Sequence, residues 1–143
     1  MYGGGNIGRG FIAQLFYLTG YETVFIDVNQ NLVDSLNKTH EYPIYITGEK
    51  DYEKFTVKNV RAVNGNDTEA VADEISTADI MATAVGANIL KFIAAPIAAG
   101  IRRRMDNGGS PLNIIVCENL LDADKYLRSL IEEKTDAAAK EYL

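Results

Sequence analysis

Gly3-Gly4-Gly5-Asn6-Ile7-Gly8 stands two residues into the chain and fits the pattern G-x-G-x-x-G. Glycines at that spacing have a mechanical use when they lie between a strand and a helix. The first permits a tight turn, the second lets backbone approach a pyrophosphate, and the third lets helix and strand pack closely. The helix N-terminus behind them carries free N–H groups and a partial positive charge, so it receives phosphates. Asp27 lies nineteen residues beyond Gly8, at the end of the next apolar run. A carboxylate there can accept from both hydroxyls of an adenosine ribose. Glycine-rich turns also occur for structural reasons alone, and it is the acid at this distance that makes the pair read as a dinucleotide site. The same carboxylate repels a 2′-phosphate, which favours NAD(H) over NADP(H) unless a cation screens it. Lys38 is the nearest such cation in the sequence, and it reads rather as a surface charge at a helix C-terminus.

Two further segments end apolar runs and so reach the edge where open α/β sheets bind ligands. Thr83-Ala84-Val85-Gly86 reads either as a small-residue loop beside a cofactor or as an ordinary strand-to-helix turn with Asn88 as N-cap. Cys117-Glu118-Asn119 presents an amide at Asn119 that can bond a substrate oxygen or a nicotinamide, or else cap the following helix. Arg9 at the start of the first helix opposes the helix dipole, which points to a phosphate contact or a solvated side chain. Arg102-Arg103-Arg104 closes a helix, where the dipole favours cations for structural reasons. His40, the only histidine, sits between a helix and the next strand and reads as a surface or capping residue rather than a general base. Cys117 lacks a histidine partner and reads as a strand residue.

The elements that must position these groups follow from periodicity. Ile7, Phe11, Ile12, Leu15 and Leu18 predict an amphipathic helix over residues 7–19, with that apolar face in the core and Gly20 at its end. Thr23 to Val28 reads as a buried parallel strand, and Gln30 to Lys38 as a helix with Leu32, Val33 and Leu36 inward. Tyr42 to Ile46 and Phe55 to Val63 surround a polar stretch containing Gly48 and predict an antiparallel excursion between about Tyr42 and Val63. Glu69 to Thr77 predicts a short helix and Asp79 to Val85 a strand. Asn88 to Met105 predicts a helix with Ile89, Leu90, Ile93, Ile97 and Ile101 inward, bent or interrupted near Pro96. Leu112 to Cys117 reads as another buried strand, and Asp122 to Leu143 as one or two charged helices. Strands alternating with helices define an α/β domain: a Rossmann-type, doubly wound, mainly parallel sheet with a short antiparallel excursion.

The chain has 143 residues, 24% charged and 47% apolar, which is the composition of one globular domain. Its net charge of -6 argues against an electrostatic nucleic-acid or anionic-membrane surface. No apolar run reaches the roughly 18 residues of a membrane span, and the start has no signal-peptide pattern, so the expected location is cytoplasmic. One cysteine and one histidine provide no Cys/His metal constellation, so no metal site is expected. Only Met1 and Tyr2 precede Gly3, where a strand of about five residues is expected. The chain also stops within a charged helical stretch, so the 143 residues read as a fragment preceded by further residues.

The four segments together resemble the polyol-specific long-chain dehydrogenase family. Gly3 to Phe11 resembles its opening loop and Phe25-Ile26-Asp27-Val28-Asn29 its ribose strand. Thr83 to Gly86 resembles its fourth-strand loop, and Ser110 to Asn119 its fifth-strand signature. The resemblance runs in order from the first residue to about Asn119 and is weaker beyond. It implies NAD as cofactor, held by Gly3, Gly4, Gly5, Asn6, Ile7, Gly8, Asp27, Val28, Thr83, Ala84, Val85, Gly86, Glu118 and Asn119. It implies interconversion of mannitol 1-phosphate and fructose 6-phosphate, with Asn119 polarising the reacting oxygen beside a catalytic lysine. That lysine belongs to a separate carboxyl-terminal substrate domain absent from these residues, so residues 1–143 form an NAD(P)-binding domain expected to be inactive alone. The family uses no catalytic metal. Mannitol 2-dehydrogenases and hexuronate reductases share the loop in part and are the alternative readings, with a non-catalytic NAD(H)-binding module. An S-adenosylmethionine-dependent transferase has a similar loop and acid, and the paired strand-end loops favour the dehydrogenase.

Overall fold

The computed structural model describes residues 1–47 and 51–143. The predicted Gly48 turn lies outside them. A π-helical turn, Gly8–Ile12, runs into α1 (Ala13–Leu18), followed by β1 (Thr23–Asp27), α2 (Gln30–Thr39), β2 (Glu41–Thr47), β3 (Tyr52–Lys58) and β4 (Val60–Asn64). Then come α3 (Thr68–Thr77), β5 (Met81–Thr83), α4 (Leu90–Asp106), β6 (Ile114–Val116), α5 (Ala123–Glu132) and α6 (Ala137–Tyr142).

β1 pairs in parallel with β4, Thr23 opposite Val60, and β5 pairs in parallel with β6, Met81 opposite Ile114. Tyr2 joins the two halves by bridging both Ile26 and Thr83. Its N–H donates to the Ala82 carbonyl at 2.8 Å, and its own carbonyl accepts from Ala84 at 2.9 Å. The order across the sheet is therefore β4, β1, Tyr2, β5, β6. Side chains alternate between two cores, as a parallel sheet covered on both faces requires. Ile26, Tyr2 and Met81 face the core built with α3, α4 and α5, while Phe25, Met1 and Ala82 face the core built with α1, α2 and the hairpin. This is the doubly wound arrangement that strand and helix alternation predicts.

β2 and β3 form the antiparallel excursion, Glu41 opposite Lys58 through Thr47 opposite Tyr52. It is shorter than predicted. Asn59 takes a left-handed φ of 57°, which turns the chain, and Val60–Asn64 rejoins the parallel sheet. Asparagine tolerates that conformation better than most residues. Edge-to-face pairs of Tyr42 on Phe25 and Phe55 on Tyr17, each at 5.9 Å, tie the hairpin to the domain.

The first helix departs from its predicted face. Ile12 is buried, but Ile7, Phe11, Leu15 and Leu18 are between 45% and 60% exposed. The buried line runs instead through Gly8, Ile12 and Ala13, with Phe16 and Tyr17 packed behind. The π turn carries more residues than an α turn and rotates the face that follows it. α4 differs too. It continues through Pro96 without interruption, and its inward stripe begins at Leu90, because Ile89 ends an exposed 3₁₀ turn, Ala87–Ile89. Asn88 makes no side-chain cap there.

The three arginines at the end of α4 hold neighbouring elements. Arg103 pairs with Asp73 at 2.5 Å and Glu69 at 2.6 Å on α3, and Arg102 with Asp106 and Asp136. Arg104 donates to the carbonyls of Ala78 at 2.7 Å and Ser110 at 2.5 Å. Among the described residues no helix is long and apolar enough to cross a membrane.

Met1 continues the same ladder: its nitrogen donates to the Val24 carbonyl at 2.8 Å and its carbonyl accepts from Ile26 N–H at 2.9 Å, so the first two residues lie alongside β1.

Candidate functional site

The loop at the carboxyl edge of the sheet is built on close backbone approach. Gly3 has φ +98°, and a Cβ there would lie 2.4 Å from the Ala84 carbonyl oxygen. A Cβ on Gly8 would lie 2.1 Å from the Gly3 carbonyl oxygen. Only glycine lets the turn, the first helix and the end of β5 come together in this way. Gly5 differs: a Cβ there meets nothing within 4 Å, and Gly5, Asn6 and Ile7 are all exposed. No side chain caps the helix that starts behind them, so its first N–H groups remain available to an anion.

Asp27 ends β1 beside this loop. Its Oδ2 accepts the Gly4 N–H at 2.8 Å and its Oδ1 the Asn29 N–H at 2.9 Å. Each oxygen keeps a further lone pair for a ligand hydroxyl. A Cβ on Gly4 would crowd both Leu32 and this carboxylate, at 2.6 and 3.1 Å, so Gly4 serves the contact with Asp27. The structure therefore brings the glycine loop and the strand-end acid together, as their spacing predicts.

A cavity of about 530 Å³ opens against both. Gly3, Gly5, Asp27 and Val28 line one side, Ala84 and Val85 another. The remaining wall holds residues that the sequence reading missed: Gly65 and Asn66 after β4, Thr68 at the start of α3, and Ile89, Phe92 and Pro96 at the start of α4. A glycine directly after a strand was a usable signal for Gly65, whose N–H donates to the Asp27 carbonyl at 3.0 Å. Phe92 and Ile89 carried none, since their exposure depends on where α4 begins.

The two other strand-end loops also meet. Cys117 N–H donates to the Thr83 carbonyl at 2.9 Å. Glu118 Oε1 accepts the Val85 N–H at 2.9 Å and Oε2 the Gly86 N–H at 2.7 Å. The Thr83 hydroxyl is fully buried and has no partner among the described residues. Asn119 is exposed and does not cap α5, which begins at Ala123 with Asp122 as its N-cap and has no side-chain cap. The amide is left free among the described residues, and the cap reading of Asn119 falls.

The remaining candidates have structural partners. Arg9 turns back so that its Nε donates to the Gly4 carbonyl at 2.6 Å, while its own carbonyl accepts from the Tyr42 hydroxyl at 2.7 Å. Burial raises the Tyr42 phenol well above its ordinary value. His40 closes α2 in a left-handed conformation, with Nδ1 3.0 Å from the Val60 carbonyl. Lys38 lies in the last turn of the same helix. Cys117 is half-buried, and desolvation, aided by Glu118, raises its thiol pKa, which makes it a poor nucleophile.

A parallel sheet wound on both faces, with a glycine turn entering the first helix and an acid ending the next strand, defines a Rossmann-type nucleotide-binding domain. Residues 1–143 match the mannitol dehydrogenase Rossmann domain. The chain belongs to the mannitol dehydrogenase family. It is 48% identical over 134 residues to a mannitol-1-phosphate 5-dehydrogenase of Brevibacillus brevis, covering 92% of this chain and 34% of that protein. It is 44% identical over 140 residues to the enzyme of the same name from Aureobasidium melanogenum, covering 97% of this chain and 36% of that one. The chain thus spans about a third of the length of these curated relatives. Among solved structures, mannitol 2-dehydrogenase of Pseudomonas fluorescens, in a ternary complex with NAD and D-mannitol, superposes with a TM-score of 0.80 at 13% identity. A substrate-free D-sorbitol dehydrogenase gives 0.79 at 15%. Each covers 99% of this chain and 38% of its own, and both share the fold.

The loop geometry separates two glycines of one motif. Gly8→Ala is expected to cost about 2 to 3 kcal/mol, lowering the melting temperature by roughly 10 °C, because its Cβ meets backbone. Gly5→Ala is expected to change stability by less than about 0.5 kcal/mol, as an exposed substitution in open space. Thermal unfolding followed by circular dichroism checks both.

Proposed function

We propose that this domain binds NAD(H) and forms the cofactor half of a dehydrogenase that interconverts mannitol 1-phosphate and fructose 6-phosphate. The observation that carries the reading is the open cradle at Gly5, with the Asp27 carboxylate bonded to the neighbouring Gly4 and a cavity of about 530 Å³ against both. Its residues suit a dinucleotide. The carboxylate and Val28 face the adenosine ribose, the exposed Asn6-Ile7 turn at the helix start receives the pyrophosphate, and Thr83 to Gly86 walls the nicotinamide side. Phe92, Ile89 and Val28 supply apolar surface for the adenine.

When bound, NAD supplies the acceptor for a hydride from the alcohol carbon. This chain binds and orients it, and the Asn119 amide, free to donate, stabilises charge that develops on the reacting oxygen. The proton of the alcohol passes to a lysine of a separate carboxyl-terminal substrate domain, as in the family that the sequence resembles. The phosphorylated substrate is supported by the relatives at 44% and 48% identity, which are named for it. The cytoplasm is the location that suits a lone, unpaired cysteine, Cys117, in the described chain.

Fluorescence titration with NADH and NADPH tests the cofactor assignment. NADH is expected to bind at least about tenfold more tightly, since the Asp27 carboxylate opposes a 2′-phosphate. Asp27→Ala is expected to weaken NADH and shrink that preference. Equal binding of both nucleotides by the unaltered chain, or none by a folded one, overturns the assignment.

A further inference from the structure

We propose that Glu118 is a positioning residue for the nicotinamide half of the site: its carboxylate clasps the Val85–Gly86 backbone and so sets the cofactor wall against the segment that carries Asn119. The inference rests on the dinucleotide reading above and assigns Glu118 a role through other residues, not contact with the cofactor. Glu118 does not line the cavity, whereas Val85 does.

The argument begins where the sheet ends. The Cys117–Thr83 hydrogen bond is the last backbone rung found between the β5 and β6 sides at this edge, and beyond it the two chains diverge into separate loops. Nothing in a parallel ladder fixes two loops past its last rung. Here a half-buried side chain takes over: the two oxygens of Glu118 accept from two successive N–H groups, at 2.9 and 2.7 Å, across more than thirty residues of sequence. Charge-assisted bonds of this kind are about twice as strong as neutral ones. Two successive N–H groups also make an anion-binding concavity. With the protein's own carboxylate seated there, an anionic ligand is left the glycine loop, where Gly5 is open. The neighbour of Glu118 is Asn119, which is exposed and whose side chain has no hydrogen-bond partner among the described residues, so its place relative to Val85 depends on the backbone that the clasp holds. Asp27 lies on the β1 and β4 side of Tyr2, and Glu118 on the β5 and β6 side. A dinucleotide spanning the crevice with adenosine at Asp27 therefore brings its other half to the clasp.

Glu118→Gln keeps the shape but replaces one acceptor oxygen with an NH2 group that faces an N–H donor. The test is calorimetric titration of the 143-residue chain and of Glu118→Gln with NADH and with ADP-ribose, which lacks the nicotinamide. The expected result is an NADH dissociation constant raised about tenfold, as for one lost charged hydrogen bond, with ADP-ribose changed less than about twofold. A general loosening of the fold weakens both ligands together, and that outcome, or no change in either, overturns the proposal. If the unaltered chain binds neither ligand, the cofactor reading fails before any substitution is made, and this inference falls with it. A second measurement needs no variant: amide hydrogen exchange at Val85 and Gly86 is expected to slow more than about tenfold with NADH and little with ADP-ribose. Equal slowing by the two ligands overturns the proposal.

Discussion

Two carbonyl oxygens stand where two β-carbons cannot. The Ala84 oxygen lies 2.4 Å from the position of a Cβ on Gly3, and the Gly3 oxygen 2.1 Å from that of a Cβ on Gly8. These approaches draw the centre of the sheet, the start of the first helix and the end of β5 into one small volume. Tyr2 makes the junction possible, since among the described residues it bridges both the β1 and the β5 halves. The helix face follows from the same constraint. With Gly8 against the loop, the residues turned inward are Ile12, Ala13, Phe16 and Tyr17, and the more apolar line of Ile7, Phe11, Leu15 and Leu18 is left outward.

The site repeats one device at both ends: a carboxylate that receives two backbone N–H groups, at least one of them from a different loop. Asp27 holds Gly4 and Asn29, and Glu118 holds Val85 and Gly86. Asp27 ends β1 and Glu118 follows β6 by two residues, where ladder hydrogen bonding stops and the chain needs another partner. The difference between them is access. Asp27 faces the cavity and has acceptor capacity to spare, while Glu118 lies behind the wall that Val85 presents. The same chemical group thus suits ligand recognition at one end and loop placement at the other.

Helix termini and charged side chains account for most residues that looked reactive in isolation. Arg102, Arg103 and Arg104 are spent on Asp106, Asp136, Glu69, Asp73 and the carbonyls of Ala78 and Ser110. His40 closes a helix, and Arg9 braces the Gly4 carbonyl. Asn119 goes the other way. It sits where a cap was plausible, yet the following helix starts four residues later, at Ala123, and the amide is left unused among the described residues.

Local rules sufficed for the parts of this protein that are governed by local physics. Glycine spacing, an acid at a strand end, and apolar runs of strand and helix length made the Rossmann-type architecture and the pairing of the loop with Asp27 legible from the sequence. The family resemblance came from the same segments. What the tertiary structure decided depended on long-range packing. Which face of the first helix is inward was set by the π turn and by contact with the loop, neither of which a 3.6-residue period contains. The break at Asn59 that returns Val60 to the parallel sheet depended on a partner strand thirty-seven residues away in sequence. The third wall of the cavity and the clasp of Glu118 were also invisible, because both are contacts between segments more than twenty residues apart, and a sequence lists neighbours along the chain while a site is made of neighbours in space.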